Sequence, residues 1–182
     1  MRALTVLAGT ADSARLDDLP SPVAADPGVP LASLAVGVCG TDAEILAGKY
    51  GWAPPGRQRL ALGHECVARV LSASAGFDAG ELVVPIVRRP DPVPCASCAA
   101  GEWDMCRNGR YTEHGIKERH GFCVEPFISG PGFLVRVERS ARDTGVLLEP
   151  ASVVAKAWDH IERIGQRTAS WRAEKVLITG AG

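Results

Sequence analysis

The sequence predicts a mainly β domain, irregular and barrel-like, followed by the first helix and strand of an α/β domain. Three observations carry this. Up to about residue 145 the apolar runs are short and interrupted by Pro and Gly, as strands and turns require. At LLEPASVVAKAWDHIERIG the apolar residues begin to recur at spacings of three and four. The chain then reaches VLITGAG, a continuous apolar run that enters Gly-x-Gly, the usual opening of a dinucleotide-binding turn.

Residues 1–35 alternate short apolar runs with turn formers, as in LPSPVAADPGVPLASLAV, and no helical period survives them. HECVARVLSAS and GELVVPIV read as strands joined by the turn GFDAG, with Pro85 expected at an edge or bulge because it cannot donate to a ladder. CVEPFISG and FLVRV add two more strands. The helix is expected over about Ala151 to Ile164, with Val154, Ala157, Trp158, Ile161 and Ile164 on one face. Ser152 is placed to cap its start and Gly165 to end it in the left-handed conformation. After the polar loop QRTASWRAE, KVLIT (Lys175 to Thr179) has the look of a strand buried on both faces. The expected division is residues 1–148 for the β domain and 149–182 for the α/β start.

Composition excludes several classes of function. Twenty basic against 21 acidic residues, with no basic run of five, offer no footprint for nucleic acid or an anionic membrane. No 18-residue apolar run and no signal-peptide core occur, so a cytoplasmic protein is expected. Six cysteines in a reducing compartment point to burial, catalysis or metal rather than disulfides.

Two constellations have the chemistry for metals. Cys95 and Cys98 are spaced as a metal knuckle, and Cys106 returns after seven residues. A redox pair, or three unrelated buried thiols, would share that spacing. The Pro-rich setting PDPVPC is unlike the strand-to-helix context of a redox motif. No fourth ligand is evident; Asp91 is the nearest upstream carboxylate and Asp104 lies inside the loop. The second set is dispersed: Cys39, Thr41 and Asp42 in GVCGTDAE, His64 and Glu65 in LGHEC, and Glu149 in LLEP. A catalytic zinc takes three protein ligands and keeps an open position. Each of these residues alone has a plainer reading, as a buried thiol or a turn. His64 and Glu65 would point to opposite faces of a regular strand, so both reach one metal only where the strand gives way, which Gly63 permits.

GVCGTDAEI, LGHECV, the cysteine loop and VLITGAG occur here in an order that resembles the zinc-dependent medium-chain dehydrogenases/reductases. GKYGWAPPG, VRRPDPVPC, DMCRNG, YTEHGI with HGF, and GVLLEPASVVAKAW are similar to that superfamily's glucose dehydrogenase branch. The resemblance runs from about residue 30 to the last residue. It implies a GroES-like β-barrel catalytic domain followed by a Rossmann domain. It also implies an NAD- or NADP-linked aldose 1-dehydrogenase that oxidises a C1 hydroxyl to a lactone. By the same resemblance, Cys39, His64 and Glu65 are catalytic zinc ligands, and Glu149 is a further carboxylate on the metal and substrate. Thr41 passes on the substrate proton, with Glu65 its catalytic neighbour. Glu113 grips sugar hydroxyls, and Arg88 with Arg89 lies along the same wall. Asp42 orients a ligand from behind, and Gly180 and Gly182 begin the cofactor turn. The loop of Cys95, Cys98 and Cys106 matches a structural zinc site that commonly has four cysteines. The upstream one is missing here, which leaves Asp91 as the candidate. The sequence is thus expected to be the N-terminal portion of a homo-oligomeric enzyme, inactive as 182 residues. The alternatives are a non-catalytic zinc-binding module and a polyol or secondary alcohol dehydrogenase. Outside these sets, Cys66 and Cys123 are expected in the core, His114 and His120 in a solvated loop, and Trp103 and Trp171 as packing anchors.

Overall fold

The computed structural model describes residues 1–20 and 28–180. In chain order it opens with β1 (Arg2–Leu7), β2 (Arg15–Asp18), β3 (Val29–Gly37), α1 (Gly40–Leu46) and β4 (Arg59–Ala61). There follow β5 (Glu65–Val70), β6 (Leu82–Pro85), β7 (Arg88–Arg89) and the single turn α2 (Ala96–Ala99). The remaining elements are β8 (Thr112–His114), β9 (Glu118–Arg119), β10 (Phe127–Ser129), β11 (Leu134–Val137) and α3 (Leu148–Gly165). The chain divides into two units, Met1–Glu149 and Pro150–Gly182.

The first unit is the mainly β domain that the sequence predicts. Its largest sheet has the order β10-β3-β5-β6-β11, entirely antiparallel; β2-β1-β4 and β7-β8-β9 form two smaller sheets. Pro85 sits inside the sheet order yet satisfies the rule against donors. It is the last residue of β6, beyond the two pairs that β6 makes with β5, and it pairs only with Leu134 of β11. Alternate residues of β3, β5 and β6 bury Leu31, Ala68, Val70 and Val83 around Phe122, the largest fully buried side chain. Phe122 stacks on His114 at 4.6 Å and lies 5.1 Å from Phe127.

A second cluster, Val6, Ile45, Leu60 and Leu62, fastens α1 to β1 and β4. One apolar contact per turn is enough for so short a helix when its N-terminus is well capped. Cys39 is the N-cap, its sulfur accepting from the Thr41 N–H, while the Asp42 carboxylate accepts from the Cys39 N–H at 3.0 Å. This reciprocal arrangement is a capping box with a thiol in place of the usual hydroxyl.

Helix α3, most of which forms the second unit, starts at Leu148, earlier than expected, because a 3-10 turn at Gly145–Leu147 leads into it. Ser152 therefore lies inside the helix and does not cap it. Gly165 is the last helical residue but is absent from the left-handed positions. Its value is space: a Cβ there would come within 2.3 Å of the Trp171 ring. Asp159 pairs with Arg163 at 3.1 Å, and the Trp158 indole donates to Glu162 at 2.9 Å, so the polar flank is braced at spacings of four. The expected strand Lys175–Thr179 is not formed. A strand is defined by its ladder, and no partner strand occurs among the described residues, so Val176, Leu177 and Ile178 form no regular structure and are exposed. Gly180 has a φ of +79°; Gly182 lies outside the described residues.

Candidate active site

Three backbone devices bring the dispersed residues together. Capping of α1 turns the Cys39 sulfur toward β5, where it lies 3.2 Å from His64 Nε2. Gly63, at φ +90°, lets the chain turn just before β5, so His64 and Glu65 reach the same place despite being neighbours. Gly37, paired with Glu65 across β3 and β5, leaves room for its carboxylate; a Cβ would stand 2.0 Å from Glu65 Oε2. The donor atoms of Cys39, His64 and Glu65 all lie within 4.8 Å of one another. His64 and Glu65 are buried and Cys39 is half-buried.

Behind the imidazole stands Asp42, itself 3 % exposed, with Oδ1 3.6 Å from His64 Nδ1. That ring nitrogen is buried and has no hydrogen-bond partner. A thiol, an imidazole nitrogen and a carboxylate converge here, and the far side of the imidazole faces a carboxylate. This is the donor set of a zinc site with its outer partner, and the residues fit the metal.

Glu149 is drawn into the same place. Burial raises its carboxyl above the usual range; the nearby His64 opposes this, and the carboxylates of Glu65 and Glu113 add to it. It is not within the tight ligand set. Thr41 lies in the first turn of α1, half-buried, with its N–H on the Cys39 sulfur at 3.3 Å.

Glu113 approaches from the third sheet. It is paired in register with Arg88, whose guanidinium donates to Glu113 Oε1 through Nε at 3.0 Å and a terminal nitrogen at 2.7 Å. Arg88 also lies 4.0 Å above the Tyr111 ring. The turn carrying Glu113 is pressed against the metal-ligand loop, since a Cβ on Gly115 would meet the Gly63 carbonyl at 2.4 Å, and one on Gly121 at 2.2 Å.

Arg89 departs from expectation. Strand alternation sends it to the opposite face from Arg88, where it is 9 % exposed, donates to Ser129 Oγ at 3.0 Å and covers the Phe133 ring. It is a core brace, not part of the wall beside Glu113.

His114 and His120 are also misplaced by the sequence reading. His120 Nδ1 accepts the Ala61 N–H at 3.1 Å, and His114 is 6 % exposed, with Nδ1 donating to the His120 carbonyl at 2.7 Å. Burial, and secondarily the Arg89 charge, holds the His114 pKa down to about 3 from an ordinary 6.5. The unfolded chain therefore takes up this proton first. Stability is full above pH 6.5 and falls as pH drops toward 3, by about 1.4 kcal/mol per pH unit within that window. Urea midpoints at pH 7.5, 6 and 5 check this. His114→Gln should flatten the slope, and an unchanged slope would refute the assignment.

Two aromatic residues escape sequence reading. Tyr50 and Trp52 are exposed, 39 % and 47 %, and pack edge to face at 5.0 Å. Trp52 is held from both sides, its N–H donating to Ile116 O at 2.8 Å and its carbonyl accepting from the Glu118 N–H at 2.9 Å. This fastens it to the turn that carries Glu113. Burial first, then the Glu113 charge, raises the Tyr50 hydroxyl pKa. The available signal was the pair of glycines in GKYGW, which marks a turn that displays its flanking rings.

The cysteine loop is assembled as well. The sulfurs of Cys95, Cys98 and Cys106 lie within 4.8 Å of one another. N–H groups of Arg107 and Cys98 bring the Cys95 thiol down to about 6. Asp91 does not join them. Cys66 and Cys123, as expected, are core thiols, pushed up by burial to about 12 and about 11.

An irregular β domain that gathers a thiol, an imidazole and carboxylates beside a capped helix has the make-up of a domain of the alcohol dehydrogenase type. The alcohol dehydrogenase GroES-like domain matches residues 27–139, and the chain belongs to that family. It is 43 % identical over 186 residues to glucose 1-dehydrogenase 1 of Vulcanisaeta moutnovskia, a match covering 100 % of this chain and 52 % of the relative. Glucose 1-dehydrogenase of Thermoproteus tenax matches at 43 %, again over 100 % of this chain and 52 % of its own. Among solved structures, Haloferax mediterranei glucose dehydrogenase in complex with NADP, Zn and gluconolactone superposes with a TM-score of 0.83 at 35 % identity, covering 92 % of this chain and 47 % of that one. The chain spans about half the length of the curated relatives it matches. No described helix is long and apolar enough to cross a membrane.

Proposed function

We propose that this chain supplies the metal- and sugar-binding part of a zinc-dependent, NAD(P)-linked glucose (aldose) 1-dehydrogenase. The reaction oxidises the C1 hydroxyl to a lactone, the hydride passing to the nicotinamide. The observation that carries the reading is the convergence of Cys39, His64 and Glu65 with Glu149 from the start of α3 and Glu113 from β8. Similarity along the whole chain to glucose 1-dehydrogenases supports the same substrate.

In this reading Cys39, His64 and Glu65 hold the zinc, and Glu149 stands beside it as a carboxylate that burial keeps easy to protonate. When bound, zinc supplies Lewis-acid polarisation of the C1 hydroxyl. Thr41 Oγ1, one residue inside α1, accepts the proton released there and hands it on. Glu113 accepts hydrogen bonds from sugar hydroxyls, and the two Arg88 N–H groups that converge on its Oε1 hold it in orientation. Tyr50 and Trp52, exposed and set edge to face, offer aromatic surface to the C–H face of the pyranose. Gly180 and Gly182 are assigned to the cofactor turn. The three-thiol loop is assigned a second, structural metal.

The test is ligand-observed NMR on the zinc-loaded protein, alongside NADH or NADPH formation from glucose, galactose, sorbitol and a secondary alcohol. Saturation transfer to glucose, lost in Glu113→Gln, is expected. Zinc binding with no sugar contact would favour the non-catalytic module, and a response to sorbitol or the alcohol alone would move the substrate. Trp52→Ala is expected to weaken hexose binding by about 1–2 kcal/mol, roughly 5–30-fold, without changing zinc content. Titration of the NMR signal measures it.

A further inference from the structure

The cysteine loop is one ligand short, and its nearest candidate is engaged elsewhere. A closed tetrahedral site needs four donors, and here three sulfurs cluster without a fourth His, Cys, Asp or Glu among the described residues. Asp91 is 3 % exposed, and each carboxylate oxygen already has a donor: Oδ1 takes the Val93 N–H at 2.8 Å, and Oδ2 takes the Asn108 amide at 2.8 Å. The same Asn108 amide donates to the Val93 carbonyl at 3.1 Å. The Asp91 carboxylate thus clasps the two strands of the loop together, while its backbone N–H donates to the Cys98 sulfur and supplies no ligand. On the sulfur side, the Arg107 N–H donates to Cys95 Sγ at 3.4 Å, a contact suited to a thiolate. Cys98 is buried, whereas Cys95 and Cys106 are only half-buried, so one side of the cluster is open to solvent.

We propose that this loop binds a soft divalent ion through the three thiolates of Cys95, Cys98 and Cys106 alone, its fourth position being filled from solution by water and exchangeable for a small-molecule thiol. Soft thiolate ligands select zinc and similar ions, and an open position is what a fourth ligand of solvent origin requires. In the exchange, the metal–water bond breaks, a metal–sulfur bond forms and the thiol proton goes to solvent; nothing is oxidised or reduced. Such a site is a docking point for low-molecular-weight thiols and releases its ion to chelators more readily than a four-thiolate site. The inference rests on the metal-binding reading of this loop.

The experiment uses Cys39→Ser protein loaded with cobalt(II), in which the loop supplies the thiolates. Thiolate-to-cobalt absorption bands are expected, and they should shift and intensify when 2-mercaptoethanol is added. X-ray absorption of the zinc-loaded wild-type protein should show the sulfur count at the loop ion rising by one under the same addition. Asp91→Asn should leave the cobalt bands in place. No thiolate–cobalt bands at all would remove the metal reading itself. Bands that ignore added thiol, or that change with Asp91→Asn, would overturn only the open fourth position. The wild-type X-ray measurement decides the matter if Asp91→Asn does not fold.

Discussion

Cys39→Ala is expected to empty the candidate catalytic site. Its sulfur is one of three donors within 4.8 Å of one another, so its removal leaves a two-donor set. Loss of an outer partner alone costs roughly 10–100-fold in metal affinity, and loss of a direct ligand should exceed that. The same sulfur caps α1, and cap loss adds about 1 kcal/mol of destabilisation. Cys39→Ser separates the two effects, because a hydroxyl still caps but replaces the thiolate with a harder oxygen. Competition against a chromophoric chelator, with thermal unfolding in parallel, should show both variants losing zinc and only the alanine variant losing stability as well. Unchanged zinc affinity in Cys39→Ala would refute the site.

Phe122→Ala is expected to cost about 3–5 kcal/mol, a large share of the stability of a domain this size. The ring is fully buried and touches both His114 and Phe127, so the cavity has little to collapse into it. Its backbone also matters to the site. The Phe122 N–H donates to Gly63 O at 2.9 Å, and the Cys123 N–H to Leu62 O at 2.9 Å, so the segment buttresses the chain just ahead of His64. Urea unfolding checks the magnitude, and zinc affinity should fall with it. A loss under about 1 kcal/mol would mean that the core rearranges freely around the gap.

The pattern of residues made the strands of the largest sheet legible, because alternation reports directly on which face is buried. It also made the ligand types legible, since Cys39, His64 and Glu65 stand in short distinctive runs. What it could not reveal was depth. His114 and His120 look like loop residues until the chain returns to lay Phe122 over one and the Ala61 N–H on the other. Arg88 and Arg89 read as a pair until two residues of strand put them on opposite faces. Helix α1 is too short to show a period, and its cap uses a thiol that composition would assign to the core or a metal. KVLIT failed for another reason. Its composition states a need for neighbouring strands, and composition cannot supply them.

The close passage of Gly115 and Gly121 against Gly63 has a consequence for how specificity can vary. The strand end that carries the imidazole ligand and the turn that carries Glu113 touch backbone to backbone, with no side chain between them to act as a spacer. Their separation therefore cannot be tuned by residue size, and an insertion in either turn would displace both functions together. Diversification is confined to what projects outward from that shared frame. A library that varies Tyr50, Trp52 and Arg88 while holding the three glycines should yield altered sugar preference at constant zinc affinity, whereas variants of the glycines should lose both at once.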